Sequence, residues 1–217
     1  PAFQNTTKLR GKGIVIGVVD TGIDPKHTAF KGRILKIWDQ VLSGDGVDEG
    51  NYGVELTGNL LTTSRDLHGH GTHVSGIAAG SDETYCGVAP EADLVMVKTD
   101  FMDAHIADGI RYIFRVADDL DRPAVVNLSL GGHWDPHDGT DSLSQIIDAE
   151  SGPGKIVCCA AGNEGNDNIH AHASVAKGKT KTIRFSVPMS GGGTESYVGL
   201  NIWYSGKDVM EAAIRSP

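Results

Sequence analysis

Four short apolar runs punctuate the first 165 residues: Ile14-Val15-Ile16-Gly17-Val18-Val19, Leu94-Val95-Met96-Val97, Ala124-Val125-Val126-Asn127-Leu128 and Ile156-Val157-Cys158-Cys159-Ala160. Their hydrophobicity is nearly continuous, as it is in strands buried on both faces. Between them the spacing becomes helical. Residues 71–80 are rich in small side chains, and 103–119 carry Ile106, Ile110, Ile113, Phe114 and Ala117 on one face. A third helix is predicted over about 140–150, with Ser142 or Asp141 as its N-cap. Strands alternating with helices imply an α/β fold built on a doubly wound parallel sheet. Residues 39–66 form a long polar insert with room for a short hairpin around Tyr52 to Leu56.

The texture changes after residue 178. Thr182 to Val187, Tyr197 to Tyr204 and Val209 to Ile214 read as strands, separated by Ser190-Gly191-Gly192-Gly193 and Ser205-Gly206-Lys207-Asp208. No stretch between them is long enough for a crossover helix, so this part is predicted to be antiparallel. The chain therefore divides into an α/β unit over 1–178 and the opening strands of a β segment over 179–217.

A formal charge of −9, from 28 acidic and 19 basic residues, argues against a nucleic acid or an anionic membrane as main partner. No apolar run approaches the roughly 18 residues of a membrane-spanning helix. Cys86, Cys158 and Cys159 cannot make a disulfide framework. They read as buried free thiols, which tilts toward a reducing, cytoplasmic compartment.

Ligands of such sheets gather beyond the carboxyl ends of strands, and Asp20, Lys98, Ser129 and Asn163 all follow apolar runs. Asp20 lies in Val18-Val19-Asp20-Thr21-Gly22, His70 opens His70-Gly71-Thr72-His73, and Asn163 closes Ala160-Ala161-Gly162-Asn163. An acid, an imidazole and an amide donor are three parts of an acyl-transfer site. Each has a plainer reading. Asp20 could cap a turn before Thr21-Gly22. His68, His70 and His73, with Asp66 nearby, could ligate a metal, since His70 and His73 are three apart on a helix. Asn163 could be a turn residue beside Gly162 and Gly165.

Taken together and in this order, the three motifs resemble those of the subtilisin-like serine peptidases. Gly87-Val88-Ala89-Pro90 and Asn127-Leu128-Ser129-Leu130-Gly131-Gly132 match segments that the family carries between them. The resemblance implies that Asp20 orients His70, that His70 is the general base, and that Asn163 donates to the oxyanion. It further implies that Ser129, Leu130 and Gly131 form one wall of a cleft for an extended peptide or protein substrate. Asp100, Phe101 and Met102 would form the other, and Ala161 and Gly162 would also bind substrate.

Two features depart from the family pattern. Its catalytic serine lies in a Gly-Thr-Ser segment that leads a helix. The nearest echo here, Gly193-Thr194-Glu195-Ser196, falls in the β segment and reads as a surface turn. The Gly80 to Cys86 stretch is also too short to support the family's strong calcium loop. Acid-rich residues from Asp39 to Asp48 leave calcium open, no cofactor is required, and no metal is assigned. Some subtilases, similar to the clostridial germination proteases, carry a jelly-roll domain between the asparagine and serine regions, and residues 179–217 resemble its opening. The expectation is a serine endopeptidase whose nucleophile comes from a C-terminal part beyond residue 217, which would be this chain's partner. The alternatives are a non-catalytic, peptide-binding pseudoprotease and a metal hydrolase at His68, His70 and His73.

Overall fold

The computed structural model describes residues 2–186 and 198–215. Six strands form one sheet in the order β3-β2-β4-β1-β5-β6. These are β1 (Val15–Asp20), β2 (Ile34–Asp39), β3 (Val54–Leu56), β4 (Asp93–Lys98), β5 (Ala124–Leu128) and β6 (Lys155–Cys159). All pairings are parallel except β2 with β3. The helices are α1 (Ala2–Thr7), α2 (His70–Ala79), α3 (Asp103–Asp119) and α4 (Ser142–Glu150). Among the described residues no helix is long and apolar enough to cross a membrane.

The continuous apolar runs have a direct cause. Successive strand residues face opposite sides, and β1 is covered on both. Val15 and Val19 join Val95 and Val97 against Ile106, Ile110, Ile113 and Phe114 of α3. Ile16 and Val18 join Leu94 and Met96 in a second core with Ile23, Phe30 and Ala79 of α2. Every residue of β1 is buried in consequence. The α3 bounds agree with the predicted helix, and Asp141 is the N-cap of α4, accepting a 2.8 Å hydrogen bond from the Ser144 N–H.

Several expectations need correction. β2 was not anticipated, because Lys36 interrupts its apolar run; the Lys36 amine reaches Glu55 on β3 at 3.0 Å. Cys158 and Cys159 are exposed rather than buried. They lie on β6, an edge strand that pairs only with β5 among the described residues. α4 likewise contributes no fully buried residue.

The chain divides into two compact units, one of Pro1–His133 with His137–Gly162 and one of Trp134–Pro136 with Asn163–Pro217. The second unit contains no helix or strand among its described residues. The predicted strands over 182–187, 197–204 and 209–214 are therefore not formed in those residues, and Ile183, Phe185, Ile202 and Trp203 are exposed. A strand gains little without a ladder partner and a face to pack on, and neither is available among the described residues there. The Ser190 to Gly193 turn and the Gly193 to Ser196 segment lie outside the described residues. An inserted jelly-roll domain is not shown.

Candidate active site

The sheet order puts the first strand in the middle. β4 and β5 flank β1, with Asp20 in register with Lys98 and Val18 with Asn127. The segments after Lys98 and Leu128 therefore leave the sheet on either side of Asp20, as the carboxyl-end rule requires.

The Asp20 side chain is fully buried, whereas that of His70 is 42% exposed. His70 Nδ1 and Asp20 Oδ1 are 2.8 Å apart, and the same oxygen accepts the Thr21 N–H at 2.7 Å. Asp20 Oδ2 is buried with no partner among the described residues. A buried carboxylate on one ring nitrogen fixes the imidazole as its Nδ1–H tautomer and leaves Nε2 as the basic atom. Among the described residues nothing hydrogen-bonds to Nε2.

Two glycines allow this approach. Gly69 precedes α2 with φ of 88°, a left-handed conformation that a side chain would strain. Gly71 presses the first turn of α2 onto the Asp20 loop. A methyl there would overlap the Gly22 carbonyl oxygen and sit 3.1 Å from Asp20 Cβ.

Asp66 was noted from sequence only as a neighbour of the histidine cluster. Its carboxylate accepts hydrogen bonds from Thr21 Oγ1, the His68 and Gly69 N–H groups, and both the N–H and Oγ1 of Thr72. Burial pushes the acid upward, but the donors from Thr72, Gly69 and Thr21 outweigh it and hold it below the usual carboxylate range. Behind it, Lys98 Nζ donates to the Arg65 carbonyl at 2.9 Å and lies 3.5 Å from the buried Asp39. Asp39 in turn accepts the Ser64 hydroxyl at 2.8 Å. The sequence signal was available: a carboxylate four residues before the histidine, and hydroxyls beside both Asp20 and Gly71.

The predicted walls are placed as follows. Ser129 and Leu130 are half-buried and Gly131 is exposed, with the Asn127 amide donating to Ser129 Oγ at 2.9 Å. Asp100, Phe101 and Met102 are exposed on the other side of Asp20. Phe101 has φ of 67°, a strained value for an aromatic residue. Asp100 fixes this turn by accepting the Met102 N–H at 3.1 Å and pairing with His105 Nδ1 at 2.8 Å. Ala161 and Gly162 follow β6 and are exposed. Asn163 belongs to the second unit, is exposed, and gives its N–H to the Glu164 carboxylate at 2.8 Å.

Among the described residues no group of three His, Cys, Asp or Glu side chains is arranged to hold a metal ion. His68 and His70 meet edge to face with ring centroids 6.1 Å apart.

Comparison with known proteins agrees with this geometry. The chain is 34% identical over 179 residues to the serine protease AprX of Bacillus subtilis, covering 76% of this chain and 36% of that protein. It is 35% identical over 173 residues to an intracellular serine protease of Paenibacillus polymyxa, covering 76% and 46%. The chain thus spans less than half the length of these two curated relatives. Among solved structures it is similar to the CspB protease of Clostridium perfringens, with a TM-score of 0.66 and 30% identity over 76% of this chain and 40% of that one. The model of the subtilase family matches residues 11–187, the stretch that holds the sheet, Asp20 and His70. The chain belongs to the subtilase family.

Proposed function

We propose that this chain supplies the acid, the base and one oxyanion donor of a serine endopeptidase, and that the nucleophilic serine comes from polypeptide beyond residue 217. The observation that carries this reading is the 2.8 Å contact between a fully buried Asp20 and a half-exposed His70. A solvated histidine needs no buried carboxylate partner for folding. One that must accept a proton and give it back does, because the carboxylate holds the tautomer and stabilises the imidazolium.

In the proposed reaction His70 Nε2 takes the hydroxyl proton as the serine attacks the peptide carbonyl. Asp20 stays ionised and balances the charge on the ring. His70 then returns the proton to the leaving amine. Water next attacks the acyl-enzyme, giving its proton to His70, which passes it to the departing serine oxygen as the acid product is released. Asn163 would donate its side-chain amide to the oxyanion; removing one such donor costs about 10²–10³ in rate in subtilisin. Ser129 to Gly131 and Asp100 to Met102 would hold an extended substrate between them by main-chain pairing. None of these steps needs a metal or cofactor, and calcium has no assigned role in them.

Two observations support a downstream contribution: AprX is more than twice as long as its region matched by this chain, and β6 has an open edge among the described residues. An inserted jelly-roll domain beginning near residue 179 belongs to the same reading. The test is a fluorophosphonate probe applied to residues 1–217 and to the longer polypeptide. Labelling is expected only in the longer protein, on a serine after residue 217. Labelling of Ser129 or Ser196 would refute the arrangement. Absence of labelling in the longer protein would favour the pseudoprotease alternative.

A further inference from the structure

A carboxylate can only accept hydrogen bonds, so the hydroxyl protons of Thr21 and Thr72 both point at Asp66, at 3.0 and 2.7 Å. That leaves each hydroxyl oxygen able to accept. Thr21 Oγ1 accepts the Gly71 N–H and Thr72 Oγ1 accepts the Asp24 N–H, each at 2.9 Å. Two relays therefore run from one carboxylate in opposite directions. One goes from the Asp20 loop to the first turn of α2, and the other from that turn back to the Asp20 loop. The first relay joins Thr21 to Gly71, the immediate chain neighbours of Asp20 and His70, and the second ends at Asp24 in the Asp20 loop.

Capping the turn before α2 would need only the bonds to the His68 and Gly69 N–H groups. The two threonine relays do something else, since they join two segments that are otherwise remote in sequence. We propose that Asp66 is a positioning residue of the site: by polarising the Thr21 and Thr72 hydroxyls it locks the Asp20 loop to α2 and sets the contact between His70 and Asp20. This rests on the acyl-transfer reading above, in which that contact is the working element. Replacing Asp66 by asparagine keeps the shape but puts an amide NH2 where an acceptor stood. The hydroxyl there must turn its proton away and is no longer polarised, and the backbone N–H groups of His68 and Gly69, or that of Thr72, are left facing amide protons.

The test uses the protein with its downstream sequence and four variants: Asp66→Asn, Thr21→Val, Thr21→Ser and the Asp66→Asn/Thr21→Val double. On a peptide ester, Asp66→Asn and Thr21→Val should each lower kcat on the order of 10- to 100-fold, the scale of a sub-ångström misplacement, with KM within about twofold. Thr21→Ser, which keeps the hydroxyl, should restore kcat. The double variant should be no worse than the poorer single, because both changes break one relay. The low-field proton resonance of His70 Nδ1–H should be lost in Asp66→Asn while the urea midpoint shows a folded protein. Unchanged kcat in Asp66→Asn, or losses that multiply in the double, would overturn the proposal. If the parent protein shows no hydrolysis, the protease reading fails. The His70 resonance then decides on its own: loss in Asp66→Asn sustains the positioning role, and persistence ends it.

Discussion

Replacing Gly71 with alanine separates stability from catalysis at one atom. The added methyl would meet the Gly22 carbonyl oxygen, Met96 Cε at 3.0 Å and Asp20 Cβ at 3.1 Å. Met96 can move its terminal carbon, but the Gly22 carbonyl is backbone of the loop that carries Asp20. Ordinary van der Waals separation requires that contact to open by about 1 Å. Helix propensity favours alanine over glycine by about 1 kcal/mol, while overpacking costs about 1–3 kcal/mol. The net change in folding free energy should thus lie between about zero and 2 kcal/mol of destabilisation. The same shift is large for a hydrogen bond of 2.8 Å, which is effectively broken near 3.6 Å. Activity should fall about 100-fold. The assay is the rate of phosphonylation by a fluorophosphonate in the protein with its downstream sequence, beside urea unfolding of the same samples. A variant that is labelled at the parental rate would show that α2 and the Asp20 loop do not set the reacting geometry. A variant that unfolds completely would show that the contact is structural first.

Three other outcomes are expected. Cys158 and Cys159 are exposed on β6, and burial pushes the Cys159 thiol above its ordinary value, so Cys158 should react the faster with a thiol reagent in residues 1–217, and about tenfold or more slowly once the downstream polypeptide covers that edge; equal Cys158 rates in the short and the longer protein would count against sheet completion there. Asp66 is held below its ordinary value, so the stability it contributes is fully present above the unfolded-state value of about 3.9 and is lost as pH falls through the folded value. Asp66→Asn should then differ most from the parent in urea unfolding above about pH 4 and converge with it in stronger acid. Asp141→Ala removes the cap that accepts the Ser144 N–H and should cost about 1 kcal/mol, again by urea unfolding, without changing the phosphonylation rate.

The central sheet was legible because burial on two faces writes itself as unbroken Val, Ile and Leu, and β1, β4 and β5 meet that condition. α3 was legible for the complementary reason, since its apolar residues recur at the helical period and face a single core. β2 escaped because only part of it is fully buried, and Lys36 finds its partner on a strand 19 residues away. The described residues after 178 show the opposite case, a strand-like pattern with no strand formed among them. Their alternation is that of strands, but pattern alone does not supply a neighbour to pair with. Within the site, Asp20 and His70 could be read from local motifs. Asp66 left a local signal, a carboxylate four residues before the histidine, but its role depends on hydroxyls 45 residues before it and six after it, a relation that only the fold supplies.

The central position of β1 also bears on how the chain is made. Ribosomal synthesis delivers that strand before any of its neighbours. Its partner Asp93 follows Val15 by about 80 residues, and Ala124 by about 110. Until then a fully apolar segment must wait without hydrogen-bonding company, and closing so long a loop carries a lasting entropic cost. The β2 and β3 hairpin can pair earlier, but emergence of β4 from the exit tunnel is the earliest moment at which β1 can enter the sheet, and a chaperone that shields Val15 to Val19 would act before it.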